Sequence, residues 1–185
     1  MNPTRPPTKI QTARLLLRPV APCDVEAVFS GYASSAKATR LMNFPRHTSR
    51  ADSEGWVERC VRCWESGIAY PFTITLRSTG ETIGNIELRL TPPHAEFGYI
   101  LSERFWGSGY ATEAATVIVN WALAQPEISR VWATCHPDNH ASARVLTKAG
   151  LEFEARLENW AARPQLGERA GPSLSFAKLR SAGVQ

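Results

Sequence analysis

The chain has no long apolar run, no low-complexity segment and no internal repeat. A membrane-spanning helix needs about 18 or more consecutive apolar residues, and no stretch approaches that. The opening MNPTRPPTKI has no apolar signal-peptide core and reads as a loose proline-rich lead-in over 1–12. These absences lead to an expected cytoplasmic location with no membrane partner. Cysteine is sparse: Cys23, Cys60, Cys63 and Cys135 are the only four. Cys60 and Cys63 form a C-x-x-C, but zinc usually needs a second pair, and none exists. The pair lies in EGWVERCVRCWE, an amphipathic pattern, so ordinary helix cysteines are the favoured reading. His136 and His140 are four apart, but Pro137 prevents one helix from presenting both. No metal is expected. Charge of one sign is also lacking. Lys and Arg number 21 against 17 Asp and Glu, leaving +4 without a polybasic run. That balance suits a small anionic ligand at least as well as nucleic acid. Neither an aromatic-plus-glycine RNA signature nor zinc-finger spacing occurs, so no direct nucleic-acid partner is expected.

What is present is the composition of an ordinary globular domain: 185 residues, 43% apolar and 21% charged. It is read as one domain over 1–185. ARLLLRPV, from 13 to 20, is a short apolar run stopped by proline, hence a strand. APCDVEAVFSGYAS reads as a helix. LMNFPRHTSRADSEGW is a loop leading into a second helix, which Ser49 or Asp52 can cap. YPFTITL and TIGNIELRL alternate as strands around the turn signal RSTGE, and HAEFGYIL is a third strand. The run 110–124 is helical, with Ala111, Ala114, Ala115, Ile118, Trp121 and Ala122 on one face. SRVWATCH is a strand. NHASARVLTKAG is a helix with Asn139 at its start and Gly150 past its end. LEFEARLENWAARP and SLSFAKLR close the chain as strands. This order predicts an α/β fold with an antiparallel start and a helix crossover between two central strands.

The most informative stretch is RFWGSGYATEA, residues 104–114. Successive backbone N–H groups at a helix start form an anion site, reinforced by the helix dipole. Glycine removes the Cβ that would keep a phosphate away. The segment 104–112 therefore suits a phosphorylated ligand. A P-loop is excluded because Tyr110, not Lys, follows Gly109. A dinucleotide fingerprint is excluded because Thr112 takes the third glycine place and the turn comes after mid-chain.

RFWGSGYA resembles the R/Q-x-x-G-x-G/A signature of the GNAT N-acetyltransferase superfamily. HPDNHASARVLTKAGL is similar to that family's next segment, N-x-x-(A/S)-x-x-(L/V)…G-(F/L). The resemblance covers about 13–180, and TARLLLRPV, GYATEA and NWAARP look most like the ribosomal-protein (Rim-type) branch. It implies a mostly antiparallel twisted sheet of about seven strands with one parallel splayed pair, and about four helices. It also implies acetyl-coenzyme A as cosubstrate. Backbone groups of Trp106, Gly107, Ser108, Gly109, Tyr110 and Ala111 then take the pyrophosphate, with Arg104 adding charge. Main-chain groups of Tyr99, Ile100 and Leu101 pair with the pantetheine arm, and Asn139 holds it. Arg144 and Lys148, one helical turn apart, either face the outer phosphates or form a solvated face.

The implied reaction is amine attack on a thioester. Glu96, on the strand beside the turn, is the candidate base. The family's usual tyrosine acid falls on Leu146 here, which leaves Ser142 as the candidate donor to the departing thiolate. Cys135 lies in a strand, where buried inert thiols are usual. An α-amino group has a pKa of about 7.7–8.0 against about 10.4 for lysine, so one carboxylate suits α-amines better. The expected acceptor is a protein or peptide N-terminus, with Phe44 and Arg46 as candidate contacts. The alternatives are a small amine such as a polyamine or antibiotic, or a coenzyme-A-binding module without catalysis. Monomer and homodimer remain open.

Overall fold

The computed structural model describes residues 5–180. Among them, eight strands form one sheet in the order β1-β2-β3-β4-β5-β6-β8-β7. The strands are β1 (Ile10–Gln11), β2 (Leu15–Pro19), β3 (Tyr70–Leu76), β4 (Thr82–Thr91), β5 (His94–Leu101), β6 (Arg130–Cys135), β7 (Glu152–Arg163) and β8 (Glu168–Leu179). The helices are α1 (Val25–Val28), α2 (Ala36–Thr39), α3 (Arg50–Ser66), α4 (Tyr110–Ala124) and α5 (His140–Lys148). None is long and apolar enough to cross a membrane.

The expected mixed sheet with one parallel pair is present, with one more strand and one more helix than anticipated. The extra strand lies in the proline-rich lead-in, whose residues 1–4 fall outside the described residues. Ile10 pairs with Leu17 and Gln11 with Leu16. Thr12 closes that turn, its N–H donating to Leu15 O at 2.9 Å and its hydroxyl accepting from Leu15 N at 2.9 Å. The extra helix, α2, has four residues, too few to show an apolar period. Only its cap marks it: Ser35 accepts from Ala38 N at 3.0 Å. The single helix expected over 21–34 is three pieces. A 3-10 turn at Pro22–Asp24 precedes α1, and a π turn at Phe29–Ala33 follows it. Such wide and tight turns leave no signature in apolar spacing.

The longer helices follow their local signals. Asp52 Oδ2 accepts from Ser49 N at 2.9 Å at the start of α3, and Gly67 ends that helix at φ 74°. Cys60 and Cys63 are both free thiols within α3. On α4, Ala114, Ala115, Ile118, Val119 and Ala122 are fully buried against the sheet, while Ala111 and Trp121 pack at the margin. β3 is buried along its whole length. Trp64 of α3 meets Tyr70 and Phe72 edge-on at 5.0 and 5.1 Å on that strand.

The parallel pair decides where a site forms. β5 and β6 share only the rungs His94↔Arg130, Ala95↔Val131 and Glu96↔Trp132. Beyond them, β5 stays paired to β4 as far as Leu101↔Gly84, and β6 to β8 as far as Cys135↔Leu174. The sheet therefore forks at Glu96 and Trp132.

An ion pair between partly buried Arg18 and buried Asp24 ties β2 to the first helical turn and β3. Arg18 reaches Asp24 through both terminal nitrogens, at 2.6 and 2.8 Å. Ala21 N–H and the Thr73 hydroxyl also donate to Asp24, at 2.9 and 2.8 Å. Burial alone would raise the Asp24 pKa, but these donors outweigh it and hold it below the usual value. A depressed carboxylate stabilises the fold above its unfolded pKa, and that contribution is lost as pH falls through the folded one. Asp24→Asn is expected to cost about 3 kcal/mol at neutral pH. In urea melts the deficit should shrink as pH drops below about 4.

Candidate active site

The fork exposes one edge of β5. Ser102 N–H donates to Ile83 O of the β4 side at 2.9 Å. Strand alternation therefore turns Ile100 and Gly98 toward β4, and Phe97, Tyr99 and Leu101 toward the open side. Of the expected backbone contacts Tyr99, Ile100 and Leu101, Tyr99 and Leu101 lie on the fork and Ile100 does not. The Leu101 carbonyl already accepts from the Trp106 indole at 2.9 Å, leaving the Tyr99 N–H and C=O as the complete pair on that edge.

At the top of the fork the chain makes a 3-10 turn, Glu103–Phe105, and enters α4 through the glycine turn. Gly107 and Gly109 adopt φ of 77° and 80°, a left-handed conformation that favours glycine. The first bond of α4 is Glu113 N to Gly109 O at 3.0 Å. The amides from Tyr110 to Thr112 thus have no intrahelical acceptor, and the dipole adds positive potential there. A Cβ on Gly107 would meet nothing within 4 Å, so the turn opens onto free space. Trp106, Gly107, Ser108 and Gly109 are exposed, with Tyr110 and Ala111 partly so.

Arg104 shares this turn with two basic residues from elsewhere in the chain, and each of the three is paired with a carboxylate. Arg104 is paired with Glu81 and lies over the Phe105 ring at 5.1 Å. Arg14, from the β1–β2 connection, donates to Ser108 O at 2.9 Å and to Glu113 at 2.7 Å, and lies over the Tyr110 ring at 4.4 Å. Glu113 also accepts from Arg14 N at 2.8 Å and from the Thr12 hydroxyl. Burial opposes this ionisation, but the donors outweigh it and keep the Glu113 pKa below its usual range. Lys37 brings another cation to the turn, 5.4 Å from the Trp106 ring centroid.

One face of the fork is closed by α5. Asn139 caps it, its side-chain oxygen accepting from Ser142 N at 3.0 Å, which leaves its NH₂ as a donor for a ligand. Ser142 Oγ accepts from the Tyr99 hydroxyl at 3.0 Å. Burial pushes the Tyr99 phenol up to about 12, with the Ser142 bond opposing. Tyr99 therefore stays a neutral donor to Ser142. Burial likewise pushes the Cys135 thiol up to about 11, although Ser142 also bonds to it; it remains protonated and inert. Leu146 is 1% exposed in the core. Arg144 and Lys148 are both exposed.

The opposite face carries Glu96. Ala95 and Val131 are buried in the core cluster that includes α4 residues, so their rung neighbours Glu96 and Trp132 point the other way. Burial raises the Glu96 pKa, Arg89 opposes that shift, and Glu87 adds to it. Arg89 and Glu87 are themselves paired at 2.5 Å. The loop before α3 contributes Phe44, partly buried, and Arg46, exposed. Gln165, between β7 and β8, donates to Thr39 O at 2.5 Å and Phe44 O at 3.0 Å. That link ties the loop to the second half of the sheet. His47, in the same loop, is buried against Ser53 at 2.8 Å, and burial lowers its pKa.

Residues 14–152 match the family model described as an acetyltransferase (GNAT) domain. Among curated relatives, the uncharacterized N-acetyltransferase YoaA of Bacillus subtilis (strain 168) is 29% identical over 154 residues, covering 82% of this chain and 86% of that protein. An acetyltransferase (GNAT family) from Bacillus anthracis superposes with a TM-score of 0.82 at 23% identity, over 94% of this chain and 99% of that one. RimL, a ribosomal L7/L12 α-N-protein acetyltransferase solved with coenzyme A, superposes with a TM-score of 0.80 at 20% identity, over 92% and 97% of the two chains. The glycine turn, the forked sheet and the match over 14–152 lead to one conclusion: the chain belongs to the GNAT acetyltransferase family.

Proposed function

We propose that the chain transfers the acetyl group of acetyl-coenzyme A to the α-amino group of a protein or peptide N-terminus. The observation that carries this reading is a partly buried carboxylate, Glu96, at the last rung before the sheet forks. The residues present fit the coenzyme. Amides of 107–111 suit its pyrophosphate, with Arg14, paired to Glu113, and Lys37, paired to Glu103 at 3.2 Å, beside the turn. The open edge at Tyr99 suits an extended amide-bearing arm, as an added strand would, with the Asn139 NH₂ across the fork. Arg104 and Arg144 remain outer contacts for the remaining phosphate.

The coenzyme supplies a thioester; the chain supplies proton acceptance on one face and donation on the other. Burial raises the Glu96 pKa, which makes it a better base for the amine proton, taken directly or through water. Ser142 donates to the leaving sulfur, and Tyr99 positions it by occupying its acceptor site. This replaces the tyrosine that Leu146 cannot provide. A single carboxylate suits an amine of pKa about 8 better than one above 10. The RimL likeness supports an N-terminal acceptor and the Rim-type branch, and Phe44 and Arg46 are the proposed contacts for the incoming peptide.

Glu96→Gln should lower kcat by about 10²- to 10⁴-fold. With acceptor saturating, wild-type kcat should fall as pH drops through the raised Glu96 pKa. Arg89→Ala should move that fall to higher pH, because the Arg89 cation opposes the upward shift. Stopped-flow thiol release against pH checks both, using N-terminal peptides and polyamines in parallel. A faster reaction with polyamines would replace the acceptor assignment.

Ser142→Ala and Tyr99→Phe should each lower kcat about tenfold, or ~1.4 kcal/mol, with acceptor KM little changed. The double variant should be no slower than Ser142→Ala if Tyr99 acts through Ser142. Single-turnover kinetics measure that coupling.

A further inference from the structure

We infer that Trp132 and Trp160 form a side-chain pocket for the acceptor's first residue, and that this residue carries a large apolar or aromatic side chain. The inference deepens the N-terminal reading above and rests on it.

Trp132 is the rung partner of Glu96 and shares its face of the sheet. Neighbouring strands lie about 4.8 Å apart, so an amine held at Glu96 carries its own side chain over Trp132. Trp160 closes the far side, its ring meeting Trp132 edge-on at 6.2 Å and 73°. It is also 50% exposed, so it is not held there as core. β7 is built to present it. The ladder with β8 shifts register between Leu157 and Ala161, which takes Glu158, Asn159 and Trp160 out of regular pairing. Asn159 has φ 52°, the one non-glycine residue in the left-handed region among the described residues. Bulges and such backbone outliers re-aim side chains and cluster at functional sites.

The depression that the two rings help to line has a volume of about 260 Å³, with Leu157 and Ala155 also in its lining. Sites for drug-sized ligands run from about 300 to 1,000 Å³, so this one fits a single side chain rather than a second cofactor. Its charged residues are already matched. Arg130 pairs with Glu154 and lies over Trp132 at 5.8 Å, and Ser175 donates to Glu154 at 3.4 Å. With the charges paired and the walls aromatic and aliphatic, an apolar occupant is favoured over a charged one.

The test uses the whole chain with acetyl-coenzyme A and peptides X-Ala-Ala-Ala, where X is Gly, Ser, Lys, Leu or Phe. Phenethylamine and ethylamine serve as non-peptide amines. Wild type should favour Phe and Leu over Gly by about tenfold or more in kcat/KM. Trp160→Ala should collapse the Phe-to-Gly ratio toward one, and Trp160→Phe should retain most of it. The KM for acetyl-coenzyme A should not follow the ratio. Equal rates for all X in wild type overturn the proposal. So does a Trp160→Ala variant that lowers every peptide alike, or one that turns a dimer into a monomer in sedimentation, which would make the patch a self-interface. Acetylation of phenethylamine over ethylamine in a Trp160-dependent way, with no peptide acetylated, upholds an apolar pocket and overturns the N-terminal reading.

Discussion

The structure depends on a loss of pairing. β5 and β6 run parallel for three rungs and then separate, while each keeps its other neighbour through to its end. An unpaired strand edge in a sheet interior is costly unless something satisfies its backbone groups. Here the open edge is short and centres on Tyr99. An extended ligand carrying amides can complete it as a strand would. The glycine turn at the fork's upper end and Asn139 on the α5 side set the two other points such a ligand would touch. Glu96 and Trp132 mark its floor.

Burial raises three pKa values around the fork, with different chemical results. Tyr99 and Cys135 are acids that burial keeps protonated, pushed up to about 12 and about 11. Both lie beside Ser142, and both are neutral groups able to donate. Glu96 is raised on the opposite face, where Arg89 limits the shift. In the proposed reaction the sheet separates Glu96, on the side of amine attack, from Ser142, on the side of thiolate departure. Neither side depends on a helix-borne tyrosine.

What was legible in the sequence was local. The glycine turn could be read because positive φ and the helix start lie within a few residues. The α5 cap was legible for the same reason: Asn139 stands at the N-cap and accepts from Ser142 N. Side-chain partners from distant strands were not legible. Arg14 reaches the glycine turn from 94 residues away, while Arg104, inside the motif, pairs with Glu81. Tyr99 drew notice for its backbone, yet its hydroxyl meets a serine 43 residues further on. Strand alternation shows that Ile100 faces β4, but only once the register with Ile83 and Gly84 is known. Trp160 escaped notice because its position depends on a bulge, and nothing in LENWAARP marks the slip.

In the proposed function the open edge at Tyr99, together with the turn at 107–111, receives the coenzyme. Residue-resolved amide hydrogen exchange by NMR, with and without acetyl-coenzyme A, tests it directly. The amides of Tyr99 and of 107–111 should slow markedly on binding, whereas Ile100, facing β4, should change little. Slowing at 107–111 with Tyr99 unaffected would mean that the acyl arm lies off the fork, and would contradict the account.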